Sequence, residues 1–266
     1  MSRLPWQSRA NGADRRAFHE APRPFGASSS DHEEARVDVW SDIACPWCYV
    51  GKRRLEAALS RFAHRDAVEV VWRAFELDPS APRVQPSEVS YAQRLSKKYG
   101  SGTAKAQEMI ETMTKVAAGD GLDFRFDRIR PGNTFDAHRL LHLAGERGLQ
   151  DAVKERLLRA YMTEGEAIGD REVLIRLGGE AGLDAKEVRA KLESDAYGAE
   201  VREDERTAGE LGIGGVPFFV LGGRYAVSGA QSSEVLLGAL QQAWGATHPN
   251  LELAADGAVC GPEGCD

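Results

Sequence analysis

Apolar residues recur along most of this chain at the three- and four-residue spacing of amphipathic helices, and only a few short runs read as strands. The first strand-like run is Val37-Asp38-Val39-Trp40. From Val50 to Phe62, Leu55, Ala58, Leu59 and Phe62 share one helical face, with Lys52, Arg53, Arg54 and Arg61 outside it. A second strand is expected over Val68 to Phe75. Helical periodicity then dominates, near Tyr91 to Tyr99, Thr103 to Ala118, Phe135 to Arg147, Asp151 to Glu164, Arg171 to Ala181, Ala185 to Leu192 and Ala196 to Leu211. Leu122 to Ile129 alternates like a short extended segment. Gly214-Gly215-Val216-Pro217 leads into the apolar run Phe218 to Leu221, and Gly222-Gly223 turns it toward Arg224 to Ser228, which predicts a β-hairpin. A final helix is expected over Ser233 to Gly245. The pattern predicts an α/β fold in which helices interrupt a βαβ unit before its closing hairpin and form a lid on a small sheet.

The chemistry concentrates in Cys45-Pro46-Trp47-Cys48, between the first strand and the first helix. A helix N-terminus offers unpaired N–H groups and the positive end of the macrodipole, both of which favour a thiolate, so Cys45 is the expected nucleophile. Pro46 suits the first turn, where its missing N–H costs nothing, and Cys48 lies one turn on, placed to resolve a mixed disulfide. Trp47 adds apolar surface without charge, so a milder oxidant is expected than from motifs with a cation between the cysteines. The alternatives are a structural pair, half a zinc site or two inert core cysteines. The order strand, motif, helix weighs against a zinc knuckle, which normally sits on a turn between strands. Pro217 taken alone reads as simple strand initiation.

In combination these parts resemble the thioredoxin superfamily and, within it, the DsbA-like branch. The chain is most similar to FrnE-type oxidoreductases, relatives of kappa-class glutathione transferases and 2-hydroxychromene-2-carboxylate isomerases. The resemblance rests on Ser41-Asp42, the stretch Cys45 to Gly51, Phe75 to Pro79, Asn133-Thr134, Ala137-His138-Arg139, Ala208, Gly212, Gly215-Val216-Pro217, Phe219-Val220 and Gly229-Ala230-Gln231. It spans about Val37 to Gly245. It implies a thioredoxin-like fold with a large helical insertion, a cis peptide bond before Pro217, and a Val216 backbone that pairs with the substrate chain. The transferase and isomerase relatives typically carry serine where Cys45 stands and use a bound glutathione thiol, so two cysteines here favour disulfide exchange.

With 266 residues and 42% hydrophobic content, the chain can bury a core large enough for one elaborated domain. The expected organisation is a flexible extension over 1–36, a discontinuous thioredoxin-like unit over 37–80 and 212–245, a helical insertion over 81–211 and a C-terminal arm over 246–266. The net charge of −7 argues against a general nucleic-acid binder. No apolar stretch is long enough to span a bilayer, and residues 1–36 contain no signal-type apolar core, so no membrane partner and a cytoplasmic location are expected. An organellar transit peptide or an overlong start are the alternatives for the leader.

Catalysis is assigned to Cys45, Cys48 and Pro217, and substrate binding to Trp47, Val216 and His138. His138 lies just over a turn into a helix capped by Asn133 or Thr134. It could assist proton transfer if it faced Cys45, although a core or surface histidine is the stronger reading. Tyr91, Met109, Met113 and Tyr161 read as core rather than as a peptide groove. Arg73, Glu76 and Asp78 are explained equally well as surface charge and stay outside the catalytic set. Near the C-terminus, Cys260 and Cys265 enclose Gly261-Pro262-Glu263-Gly264, a turn that brings two cysteines within disulfide range and makes them a candidate second redox pair. The tether from Ala246 to Val259 has a reach of ~20 Å if flexible, comparable with the domain radius.

The expected activity is protein thiol-disulfide exchange or disulfide isomerisation on disulfide-containing proteins or peptides, with no cofactor other than glutathione as a co-substrate. The alternatives are glutathione-dependent isomerisation or conjugation of a small molecule, a four-cysteine metal-binding redox sensor, and a holdase. No resident metal is expected.

Overall fold

The computed structural model describes residues 36–84 and 89–248, together with the backbone of 260–261 and 264–265. The expected extension before Arg36 and the tether after His248 lie outside the described residues. Strand β1 (Arg36–Ser41) leads through the Cys45 motif into helix α1 (Pro46–Ser60) and on to β2 (Glu69–Ala74). The chain returns much later as β3 (Phe218–Leu221), β4 (Tyr225–Ser228) and α9 (Ser233–Thr247). The sheet runs β2-β1-β3-β4, with β2 parallel to β1 and the β1–β3 and β3–β4 pairs antiparallel. Gly222 and Gly223, in the three-residue loop between the paired Leu221 and Tyr225, hold φ of 57° and 61°, a left-handed region that glycine enters without steric cost.

The sheet and its two flanking helices share one core. Val37, Val39, Trp72, Phe219 and Leu221 point from the strands, Leu55, Ala58 and Phe62 come from α1 or just beyond it, and Leu236, Ala239 and Leu240 come from α9. Strand side chains alternate faces, so the opposite face is left to Trp40 and Val220, which pack with Ala208 and Ile213.

Between β2 and β3 the chain forms α2 (Tyr91–Tyr99), α3 (Thr103–Gly119), α4 (Phe135–Glu146), α5 (Gln150–Arg159), α6 (Arg171–Glu180), α7 (Ala185–Glu193) and α8 (Gly198–Glu210). Starts and stops follow local chemistry. Ser90 and Gln93 form a reciprocal capping box on α2, and Asp170, Asp184 and Ser232 cap α6, α7 and α9. The Asn133 side chain accepts the Phe135 N–H at 2.9 Å ahead of α4, so of the two expected capping residues Asn133 does the capping. The expected helix over Asp151 to Glu164 is α5 followed by a π-helical turn over Ala160–Glu164.

Two polar anchors fix these helices to the sheet. At the start of α5 the Gln150 amide pairs with the backbone of β2, accepting the Trp72 N–H at 2.9 Å and donating to the Trp72 carbonyl at 3.0 Å. Gln150 thus occupies the place of a missing strand on the sheet edge. On α8, Asp204 accepts from Ala74 N–H at 2.9 Å and Arg73 at 3.1 Å, while its own carbonyl accepts the Trp40 indole N–H at 2.9 Å. One expectation fails here. Leu122 to Ile129 joins no sheet, because its alternation buries Leu122, Phe124 and Phe126 in the helical core, and Arg125 N–H finds the Met162 carbonyl at 2.8 Å instead of a neighbouring strand.

Candidate active site

Cys45 is the N-cap residue of α1 and Pro46 its first helical residue, as the motif predicts. The Cys48 N–H turns back to the Cys45 carbonyl at 3.1 Å. Opposite Cys45 stands the loop before β3, where the Val216–Pro217 peptide bond is cis and the Val216 carbonyl lies 3.6 Å from Cys45 Sγ. This approach depends on Gly51 of α1: a Cβ there would sit 2.9 Å from Pro217 Cγ and 3.3 Å from Phe219 Cζ. Cys45 keeps 4% of its surface exposed and Cys48 none, while Trp47 is partly exposed beside them.

The two thiols ionise as a pair, and their surroundings move them apart: Cys48 lies below the ordinary thiol value and Cys45 above it. Burial pushes Cys48 up, but the Cys45 S–H, the charge of Lys154 and the Ser41 hydroxyl outweigh it and hold Cys48 below the ordinary thiol value. Cys45 is pushed well above that value by its hydrogen bond to Cys48 and by burial. A carbonyl only accepts, so Val216 also favours the proton on Cys45, and the buried cation acts on the other sulfur.

Behind the motif lies a set of buried polar groups. Asp42 accepts the Leu77 N–H on Oδ2 at 2.8 Å and the Ala44 N–H on Oδ1 at 3.3 Å, and His138 Nε2 stands 3.4 Å from Oδ1. Burial raises Asp42, yet His138, Leu77 and Thr134 together keep it below the usual carboxylate range. His138 is 1% exposed, so it lies beneath the motif against Asp42 and presents no surface to a substrate, which corrects its place in the substrate-binding set. Lys154 of α5 is wholly buried. Its ammonium donates to the Ser41 carbonyl at 3.3 Å, lies over the Trp72 ring at 5.4 Å, and is pushed by burial down to about 8.

A DSBA-like thioredoxin domain matches residues 36–241 of the chain. The chain belongs to the DSBA-like thioredoxin family. A crystal structure described as a probable DsbA oxidoreductase from Streptomyces coelicolor shares 49% identity, covering 87% of this chain and 98% of that one with a TM-score of 0.74. The uncharacterized protein YwbO of Bacillus subtilis (strain 168) is 32% identical over 189 residues, covering 70% of this chain and 86% of that protein. More distant DSBA-like folds include the cytosolic disulfide reductase DsbM from Pseudomonas aeruginosa, at 20% identity and a TM-score of 0.53 over 80% of this chain and 97% of that one. A 2-hydroxychromene-2-carboxylate isomerase has the same fold at 18% identity, with a TM-score of 0.56 over 80% of this chain and 98% of that one.

Within this DSBA-like frame the structure brings Cys45, Cys48, Val216 and Pro217 together. Tyr161 and Met113 are buried in the helical core, and Tyr91 and Met109 pack on its margin. Burial raises Tyr91 and Tyr99 of α2 above the ordinary phenol value. Of the charges read as surface, Asp78 is exposed. Glu76 is 5% exposed and takes hydrogen bonds from Arg202 at 2.6 Å and Asn133 at 3.1 Å, and Arg73 bridges Asp38 and Asp204. Both are therefore internal ties between the sheet and the insertion, and neither touches the cysteines.

Sequence reasoning missed Lys154. Its signal was present: Lys154 shares the apolar stripe of α5 with Val153, Leu157 and Leu158, where a lysine is out of place. In the tail, Cys260 and Cys265 stand directly opposite each other in the antiparallel pair β5 (Cys260–Gly261) and β6 (Gly264–Cys265). Among the described residues no group of His, Cys, Asp and Glu is arranged to hold a metal ion, and no helix is long and apolar enough to cross a membrane.

Proposed function

We propose that the protein is a thiol-disulfide oxidoreductase in which Cys45 attacks a substrate disulfide and Cys48 resolves the mixed disulfide. The observation that carries this reading is a vicinal pair at a helix N-terminus in which the outer sulfur, Cys45, faces the Val216–Pro217 loop while the inner one, Cys48, is sealed from solvent. Passing the Cys45 proton to Cys48 frees the attacking thiolate, and Cys45 is the sulfur that an incoming disulfide meets first. Attack forms a bond from Cys45 to one substrate sulfur and expels the other as a thiolate. Cys48 then bonds Cys45 and releases the second substrate thiolate, leaving the pair oxidised and the substrate reduced. The reverse sequence introduces disulfides, and the ambient redox poise sets the direction.

Disulfide-containing proteins or peptides suit this site. Trp47, partly exposed beside the cysteines, gives it an apolar margin, and the Val216 backbone offers hydrogen-bonding groups to an extended chain. The tail extends the reading: residues directly opposite in an antiparallel pair have Cα atoms about 4.5–5.5 Å apart, inside the disulfide range, so Cys260 and Cys265 suit a second redox pair.

Trapping tests the order of events. A Cys48→Ser variant incubated with a disulfide peptide accumulates a mixed disulfide on Cys45, and a Cys45→Ser variant accumulates none. Trapping at neither position would remove exchange through this pair. Slower turnover in a Cys260→Ser, Cys265→Ser double variant would place the tail in the cycle, and unchanged turnover would remove it.

A further inference from the structure

Helix α1 reaches the Pro217 loop twice from one face. Gly51 lies against the Pro217 ring, so close that a Cβ there would stand 2.9 Å from Pro217 Cγ. Arg54, three residues on and so on the same side of the helix, reaches the loop from its other end. Its Nη1 donates to the Ala230 carbonyl at 2.7 Å. Ala230 belongs to the turn that follows β4, and that turn holds the loop directly: the Gly229 N–H donates to the Pro217 carbonyl at 2.9 Å. The turn is compact, with Gly229 at φ 80° and the Gln231 side chain donating to the Ser228 carbonyl at 3.0 Å. Whatever fixes Ala230 therefore fixes Pro217, one residue beyond the Val216 carbonyl that faces Cys45.

The remaining edge of the guanidinium faces the helical insertion. Nε and Nη2 lie 3.1 and 3.0 Å from Oδ2 of Asp120, the C-cap residue of α3. A carboxylate is out of place at a helix C-terminus, where the macrodipole is negative, and the last turn of α3 holds no basic residue to offset it. Arg54 supplies that cation from another element. The two side chains are only 24% and 21% exposed, so solvent screens this pair less than an ordinary surface pair. The planar fork of an arginine can hold a carbonyl on one edge and a carboxylate on the other, which the single ammonium of a lysine cannot do in these directions.

We infer that Arg54 is a positioning residue for disulfide exchange: it fastens the Pro217 loop and the end of α3 to one helix, so that the Val216 backbone stands in place for a substrate chain while Cys45 attacks. This inference rests on the exchange reading above. The hydrogen bonds of Arg54 go to Ala230 and Asp120, so it acts through the loop and not on either sulfur.

The test compares the full chain with Arg54→Lys, which keeps the charge and loses the fork. Two disulfides are used: a cystine-containing peptide, whose backbone can pair with Val216, and bis(2-hydroxyethyl) disulfide, which has no peptide backbone. The ratio of the two second-order rate constants, peptide over small disulfide, is expected to fall about tenfold, because the variant misplaces the loop that the peptide uses. General damage to the fold or the thiols would lower both rates and leave the ratio alone. Arg61→Lys is the control on the same helix, since its exposed pair with Glu234 of α9 bears no load from the loop, and its ratio stays at the wild-type value. An unchanged ratio in a folded Arg54→Lys chain overturns the inference.

Amide hydrogen exchange gives a second readout that needs no turnover. In Arg54→Lys the protection of the Gly229 N–H is expected to fall about tenfold or more relative to the Phe219 N–H in β3, and an equal loss at both, or none, overturns the inference. Should Arg54→Lys not fold, Asp120→Asn, which removes the charge on α3 alone, carries both measurements with the same signs. A wild-type chain that reacts with neither disulfide refutes the exchange reading, while the Gly229 protection still decides whether Arg54 holds the loop.

Discussion

Replacing Gly51 by alanine tests how closely α1 must approach the Pro217 loop. A Cβ at this position would lie 2.9 Å from Pro217 Cγ and 3.3 Å from Phe219 Cζ, both closer than ordinary carbon contacts. Neither neighbour is the loose end of a flexible side chain. Pro217 is a buried ring, and Phe219 is fully buried in β3, opposite Val39 of β1. Alanine is intrinsically favoured over glycine in a helix by about 0.5–1 kcal/mol. Overpacking of a filled core costs about 1–3 kcal/mol. A net loss of about 1–2 kcal/mol is therefore expected, read as a lower urea midpoint at unchanged slope.

Activity should fall further than stability, by about tenfold, because the loop that is pushed away carries the carbonyl facing Cys45. Gly238 in α9 is the internal control, since its Cβ would meet nothing within 4 Å and Gly238→Ala should gain about 0.5–1 kcal/mol. If Gly51→Ala matched Gly238→Ala in stability and kept full disulfide-exchange activity, the close approach would have no functional weight.

Further outcomes follow from the buried polar groups. Burial takes Lys154 from 10.5 to about 8, so between those values the unfolded chain binds a proton that the folded chain has released. Stability should therefore rise with pH across that window by about 3 kcal/mol, at about 1.4 kcal/mol per pH unit. Comparing urea unfolding of wild type and Lys154→Met isolates this contribution, and parallel pH profiles would refute it. Asp204→Ala leaves the Ala74 N–H without its acceptor at the junction of α8 and β2 and takes one of two carboxylates from Arg73, which keeps Asp38, and should cost about 2 kcal/mol. A loss below about 1 kcal/mol in calorimetry would show that water replaces the carboxylate.

The helices were legible because each carries its own amphipathic period and several carry a cap. Tyr91–Tyr99 follows a Ser90–Gln93 box, and Phe135 follows the Asn133 side chain. Gly222-Gly223 likewise announced the hairpin through the backbone it requires. Cys45 and Cys48 were legible from spacing and context, but the position of charge between them was not. That depends on the contact between the two sulfurs and on Lys154, whose helix is held to the edge of β2 by the tertiary pairing of Gln150. Leu122 to Ile129 misled for a related reason: alternation reports which side chains are buried, and Phe124 and Phe126 are buried against helices without any strand beside them. Glu76 looked like surface charge because its partner Arg202 is far away in sequence.

The most direct test of the account is insulin disulfide reduction driven by dithiothreitol, comparing the full chain with Cys45→Ser. The account predicts accelerated reduction by the full chain and none above background by the variant. Equal activity of the two, or no activity in the intact chain, would contradict a disulfide-exchange function for the Cys45 and Cys48 pair.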